Sequence, residues 1–175
     1  KDCGLKKLII GSEFRLESGL KLVALAQNHA GYTQLCQLIT SGRRAAVKGS
    51  YKLTADNFSD GLRDCLLLWV PGNQLQLAVA DRWIIDAFRD RLWIAVELLA
   101  DGLQNQRLSY LQNSGKAYGL PLVASGDVHM HCRQRRALQD TVTAIRKGLT
   151  LDQAGYALYP NGERYLRSPA VISEI

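Results

Sequence analysis

Short apolar runs alternate with amphipathic stretches along this chain. Residues 8–16, 21–26, 65–70 and 92–98, and the run Pro121-Leu122-Val123-Ala124 closed by Ser125-Gly126, read as strands. The strongest is Cys65-Leu66-Leu67-Leu68-Trp69-Val70, stopped by Pro71-Gly72. Helical spacing fills the gaps. Asn28-His29-Ala30-Gly31-Tyr32 turns the chain into a helix with Leu35, Leu38 and Ile39 on one face, finishing near Gly42-Arg43-Arg44. Residues 74–90 place Leu75, Val79, Trp83, Ile84 and Phe88 close to a helical repeat. Residues 104–118 carry Leu108, Leu111 and Tyr118 and end at Gly119. From Arg133 to Gly148 the pattern is a basic amphipathic helix with Leu138, Val142 and Ile145 as its buried line. Thr54 can cap one turn over residues 54–58, and Ser168-Pro169 opens a last helix. Strands alternating with helices of this length predict a parallel α/β fold, because a parallel neighbour needs a crossover connection.

In such folds the sites gather where strands end. Here that place is Gly126-Asp127-Val128-His129-Met130-His131. Asp127 and His129 stand two residues apart, so a strand's period of two aims both side chains the same way and lets them grip one metal ion. The plainer reading is a polar loop after a core strand. Glu13 is the carboxylate within the first strand pattern. It reads equally well as a solvent-facing alternate and as a functional group.

Composition sets the bounds. At 175 residues and 47% hydrophobic, the chain is long enough for one domain with a core. Lys+Arg 22 against Asp+Glu 16 gives +6, a basic excess that fits an anionic neighbour without requiring one. Cys3, Cys36, Cys65 and Cys132 are scattered, with no Cys-x-x-Cys pair, and read as reduced thiols of a cytoplasmic protein. No apolar run approaches the roughly 18 residues that span a bilayer, so no membrane is expected. Opening at Lys1 without Met, the chain reads as a piece of something longer.

Ile10-Gly11-Ser12-Glu13-Phe14, Leu25-Ala26-Gln27-Asn28-His29-Ala30-Gly31-Tyr32, Leu35-Cys36-Gln37-Leu38-Ile39, Gly126-Asp127-Val128-His129, Ala137-Leu138-Gln139-Asp140-Thr141 and Tyr165-Leu166-Arg167-Ser168 carry a resemblance. Together they resemble the N-terminal polymerase-and-histidinol-phosphatase (PHP) domain of bacterial C-family DNA polymerases. The segments Arg43-Arg44-Ala45-Ala46-Val47-Lys48-Gly49-Ser50-Tyr51, Trp93-Ile94-Ala95-Val96-Glu97-Leu98 and Tyr159-Pro160-Asn161-Gly162-Glu163-Arg164 look most like the error-prone, damage-induced branch.

The resemblance implies a distorted (β/α)7 barrel, here lacking its first strands, with residues 1–150 as the larger part of the PHP domain. Residues 151–175 would begin the connection to the polymerase core, the palm, thumb and fingers lying elsewhere. It implies a metal cluster whose ligands match at Glu13, Asp127 and His129. Two further ligand positions fall on Lys21 and Leu99, which cannot ligate, one as a protonated ammonium and the other as a hydrocarbon. The implied site is therefore a degenerate remnant, binding no metal firmly and Zn2+ or Mn2+ weakly. The implied parent is a Mg2+-dependent DNA polymerase of translesion synthesis, and this piece is its inactive scaffold. Expected partners are DNA, the other polymerase domains and damage-response accessory proteins. Arg43, Arg44, Arg133, Arg135, Arg136, Arg146 and Lys147 are the candidate DNA contacts. Two alternatives stay open: a stand-alone metal-dependent phosphoesterase or exonuclease, and a non-catalytic DNA- or protein-binding module.

Overall fold

The structure is a computed structural model that describes residues 8–59, 61–72, 75 and 77–173. Cys3, positions 74 and 76 at the start of the expected helix over 74–90, and the last two residues lie outside them. The chain forms a mixed α/β fold with a five-stranded open sheet in the order β1 (Gly11–Arg15), β2 (Lys21–Ala26), β3 (Cys65–Trp69), β4 (Leu92–Glu97) and β5 (Leu122–Ser125). Its helices are α1 (His29–Arg44), α2 (Trp83–Phe88), α3 (Gln104–Tyr118) and α4 (Arg136–Lys147), with short helical turns at Leu151–Ala154 and Pro169–Ser173. By contacts the chain divides into two compact units, residues 1–95 with 111–122, and residues 96–110 with 123–175.

The first unit departs from the all-parallel expectation. β1 pairs antiparallel with β2 and β2 antiparallel with β3, while β3 and β4 pair in parallel. The β1–β2 link is a tight turn in which Leu16 N–H donates to the Leu20 carbonyl and Gly19 takes a φ of 91°. So short a link can only reverse the chain. Between β2 and β3 the chain crosses twice. Helix α1 carries it away from the end of β2, and the Leu53 carbonyl accepts from Glu17 N–H at the hairpin turn. Residues 54–64 then bring it back, and the Asp64 carbonyl accepts from Gln27 N–H beside the end of β2. A helix plus a returning segment gives an even number of passes, so β3 starts where β2 stopped.

Asn28 caps α1, its Oδ1 accepting from Gly31 N–H at 2.9 Å, and Leu35 and Leu38 face the core while Ile39 is 40% exposed. Leu22, Ala24, Leu67, Trp69, Leu92 and Ile94 bury the sheet face with Phe14, Phe58, Ile84, Phe88 and Leu111. The expected helix over 74–90 contracts to α2 between single turns: Val79 is 79% exposed, and within α2 Ile84, Ile85 and Phe88 reach the core. β1 likewise shortens, leaving Leu8, Ile9 and Ile10 exposed.

The second unit has little hydrophobic core. Among its described residues only Val96, Met130, Ala144 and Ala154 are buried apolar side chains. α4 ends at Gly148 in the left-handed region (φ 66°), as the sequence predicts. Its apolar line does not face inward: Leu138 is 55%, Val142 41% and Ile145 73% exposed. The periodicity is real, and among the described residues none buries the face it creates.

Candidate functional site

In the second unit, β5 ends at Ser125 and the chain turns at Asp127, a non-glycine residue with φ 41°. An aspartate adopts this left-handed conformation more readily than most residues. From there His129 and Met130 N–H both donate to the Arg164 carbonyl, Met130 bridges in parallel to Tyr165, and Leu166 N–H donates back to the Met130 carbonyl. This short ladder lays segment 159–167 alongside segment 127–131. The sequence brings the two nowhere near each other.

The ladder places four side chains together. One Asp127 carboxylate oxygen meets the Arg164 guanidinium, and the other lies 3.5 Å from His129 Nε2. Tyr159 Oη lies 2.9 Å from the same His129 Nε2, and the Arg164 guanidinium stacks over the Tyr159 ring at 4.3 Å. Burial pulls the Arg164 guanidinium below its ordinary basicity. The Glu97 carboxylate opposes that and Arg107 adds to it. Arg164 stays charged at any physiological pH, since guanidinium starts so high.

A second group braces this one. Glu163 accepts from Arg133 at 2.8 Å and from Arg167 at 3.2 Å. Arg167 is buried and also donates to the carbonyls of Leu98 (3.0 Å) and Glu163 (2.9 Å). Asn161 Nδ2 donates to the carbonyl of Leu99 at 2.6 Å, so Leu99 enters through its backbone, its side chain offering nothing to a metal.

Asp127 and His129 thus come together. Glu13 belongs to the first unit, where Lys21 Nζ lies 3.0 Å from its carboxylate across the β1–β2 pair. The donor chemistry does not fit a divalent ion as arranged. Both Asp127 oxygens and His129 Nε2 face protein groups, and no three His, Cys, Asp or Glu among the described residues group as a metal set. Tyr159, Glu163, Arg164 and Arg167 are the site residues to which the sequence pattern assigned no chemistry. Their signal in the sequence is that they fall in the phrases Tyr159-Pro160-Asn161-Gly162-Glu163-Arg164 and Tyr165-Leu166-Arg167-Ser168, which carry the resemblance but name no role.

The candidate DNA-contact cations divide. Arg133 is ion-paired with Glu163, and Arg136 lies 3.6 Å from Asp140 and donates to the Tyr159 and Pro160 carbonyls. Arg135, Arg146 and Lys147 are exposed. In the first unit Arg43 donates to the Ser50 carbonyl and lies over the Tyr51 ring, while Arg44 is exposed. No helix among the described residues is long and apolar enough to cross a membrane.

No family model matches the chain. It is similar to the error-prone DNA polymerase of Dechloromonas aromatica, 50% identical over 97% of this chain and 17% of that protein. The error-prone DNA polymerases of Methylococcus capsulatus (51% over 97% of this chain) and Pseudomonas fluorescens (49% over 96%) are similar too. The chain spans only 16–17% of the length of these relatives.

Proposed function

We infer that this chain is a segment of an error-prone DNA polymerase alpha subunit and serves it as a scaffolding PHP domain. The observation that carries the reading is half-identity along nearly the entire chain to proteins of that name, in which the matching segment is about one sixth of the length. The parent, a cytoplasmic enzyme, would extend primers on damaged DNA with Mg2+ held by carboxylates outside this chain. The exposed apolar face of α4 and the half-exposed β5 agree with a partial (β/α)7 barrel whose remaining strands and neighbouring polymerase domains come from the rest of the parent. Residues 151–175 would lead toward the polymerase core.

Expression of the full-length gene product tests this directly. Mg2+-dependent extension past an abasic site, by a polypeptide several times larger than 19.4 kDa, is the expected result. A native polypeptide of 19.4 kDa with no templated synthesis would overturn the reading. DNA contact through Arg43, Arg44, Arg135, Arg146 and Lys147 is a second reading, favoured by their exposed or outward positions on a basic chain. It predicts binding to primed DNA that weakens with salt and falls when Arg135 and Arg146 are reversed to Glu. Damage-response accessory proteins remain proposed partners of the parent.

A further inference from the structure

Asp127 already holds a cation beside His129, and that cation is protein. We propose that the Arg164 guanidinium is the resident cation of this site, standing where a divalent ion would stand and making the second unit independent of metal. The inference rests on the scaffold reading only in using the same two residues, and it does not need the parent to synthesise DNA.

Four observations converge on it. Asp127 turns through φ 41°, and its carboxylate meets the Arg164 guanidinium. The carboxylate's other oxygen and Tyr159 Oη approach His129 Nε2, the atom an imidazole would offer to a metal. The Glu97 carboxylate adds a favourable field at the same guanidinium, which helps to keep its charge in a half-buried place. The Arg164 carbonyl accepts from both His129 and Met130 N–H, so one residue supplies the charge and the backbone anchor. A guanidinium delivers its charge on a planar fork that suits a carboxylate and a ring face together. Tyr159 provides that face at 4.3 Å. A second unit with four buried apolar side chains among its described residues depends on such polar fastening.

Hydrogen exchange on the full-length polypeptide carrying this chain reads the site locally. Amides of residues 127–131 and 159–166 are followed with EDTA, with Zn2+ and with Mn2+, in wild type, Arg164→Gln and Arg164→Lys. In wild type the three conditions give the same rates. Arg164→Gln exchanges at least about tenfold faster, Zn2+ restores part of the lost protection, and Arg164→Lys falls between. Metal that slows wild-type exchange about tenfold would overturn the proposal, as would an Arg164→Gln rate equal to wild type. Faster exchange in Arg164→Gln that Zn2+ does not slow would reduce Arg164 to an ordinary ion-pair partner and also defeat it. Should Arg164→Gln fail to fold, the wild-type metal arm and Arg164→Lys still decide. Templated synthesis is scored separately in wild type, so failure of the polymerase reading leaves these rates unaffected.

Discussion

Replacing Gly31 by alanine should unfasten α1 from the sheet, against the ordinary preference of helices. In an exposed helix the change stabilises by about 1 kcal/mol, because glycine loses more backbone entropy on folding. Gly31 is buried near the start of α1, and a Cβ there would fall 2.2 Å from the Asp64 carbonyl oxygen and 3.0 Å from its carbonyl carbon. Ordinary contacts are roughly 3.5 Å, so backbone must part from backbone by about 1 Å. The Asp64 segment cannot move alone. Its carbonyl accepts from Gln27 N–H at 2.9 Å, its N–H donates to Gln34 Oε1 at 3.1 Å, and its carboxylate accepts from Asn28 at 2.8 Å and Gln34 at 3.0 Å. Weakening two or three of these costs about 1 kcal/mol each, and overpacking adds about 1–3 kcal/mol. After the helix-propensity gain, the net destabilisation is about 3 kcal/mol. Urea unfolding followed by tryptophan fluorescence reports it, since Trp69, Trp83 and Trp93 all lie in this unit. Gly42→Ala is the control in the same helix. Its Cβ would meet Leu53 Cδ2 and Cγ at 3.0 Å and the Lys52 carbonyl oxygen at 3.4 Å, a milder crowding of a buried side chain, so the expected loss is about 1 kcal/mol and smaller than at Gly31. A Gly31→Ala midpoint equal to or above wild type would refute the close-approach argument.

Three further outcomes follow from the same structure. Arg167→Leu strands the carbonyls of Leu98 and Glu163 and should cost about 2–4 kcal/mol, seen as faster amide exchange over residues 163–167. Exchanging Leu138, Val142 and Ile145 for Gln should raise the solubility of this chain alone yet lower the thermal midpoint of the full-length polypeptide. Equal behaviour in both would mean the face is never covered. Burial pushes the Cys65 thiol up, with Arg91 opposing and Asp64 adding. The folded state therefore keeps this proton longer than the unfolded state. Its contribution is whole below the ordinary thiol value of 9.0 and is lost as pH rises beyond it. Denaturation at pH 8 and pH 10 should show a smaller alkaline loss in Cys65→Val than in wild type.

Local chemistry is what a linear chain states well, and much of the fold was legible in it. The strand over Cys65–Trp69 announces itself by the six apolar residues from Cys65 to Val70, stopped at Pro71-Gly72, and α3 by spacing ended at Gly119. Asn28, Gly148 and Ser168-Pro169 mark helix ends through capping and left-handed geometry that depend on neighbours in sequence alone. The moderate basic charge, the absence of a long apolar run and the half-identity to error-prone DNA polymerases also belong to the sequence. Strand direction does not, because alternation cannot count how often the chain crosses the sheet before pairing, and the double pass after β2 makes β3 antiparallel. Nor does burial of an apolar line. Leu138, Val142 and Ile145 satisfy the helical pattern, but whether anything packs on them depends on distant chain. The candidate site shows the division most sharply. Spacing singles out Asp127 and His129, but the strand stops at Ser125 and Asp127 turns through φ 41°, so a backbone turn and not a period of two sets their side chains 3.5 Å apart. Tyr159 and Arg164 join them only because a short backbone ladder returns the chain more than thirty residues later, and a contact of that sequence separation leaves no local trace.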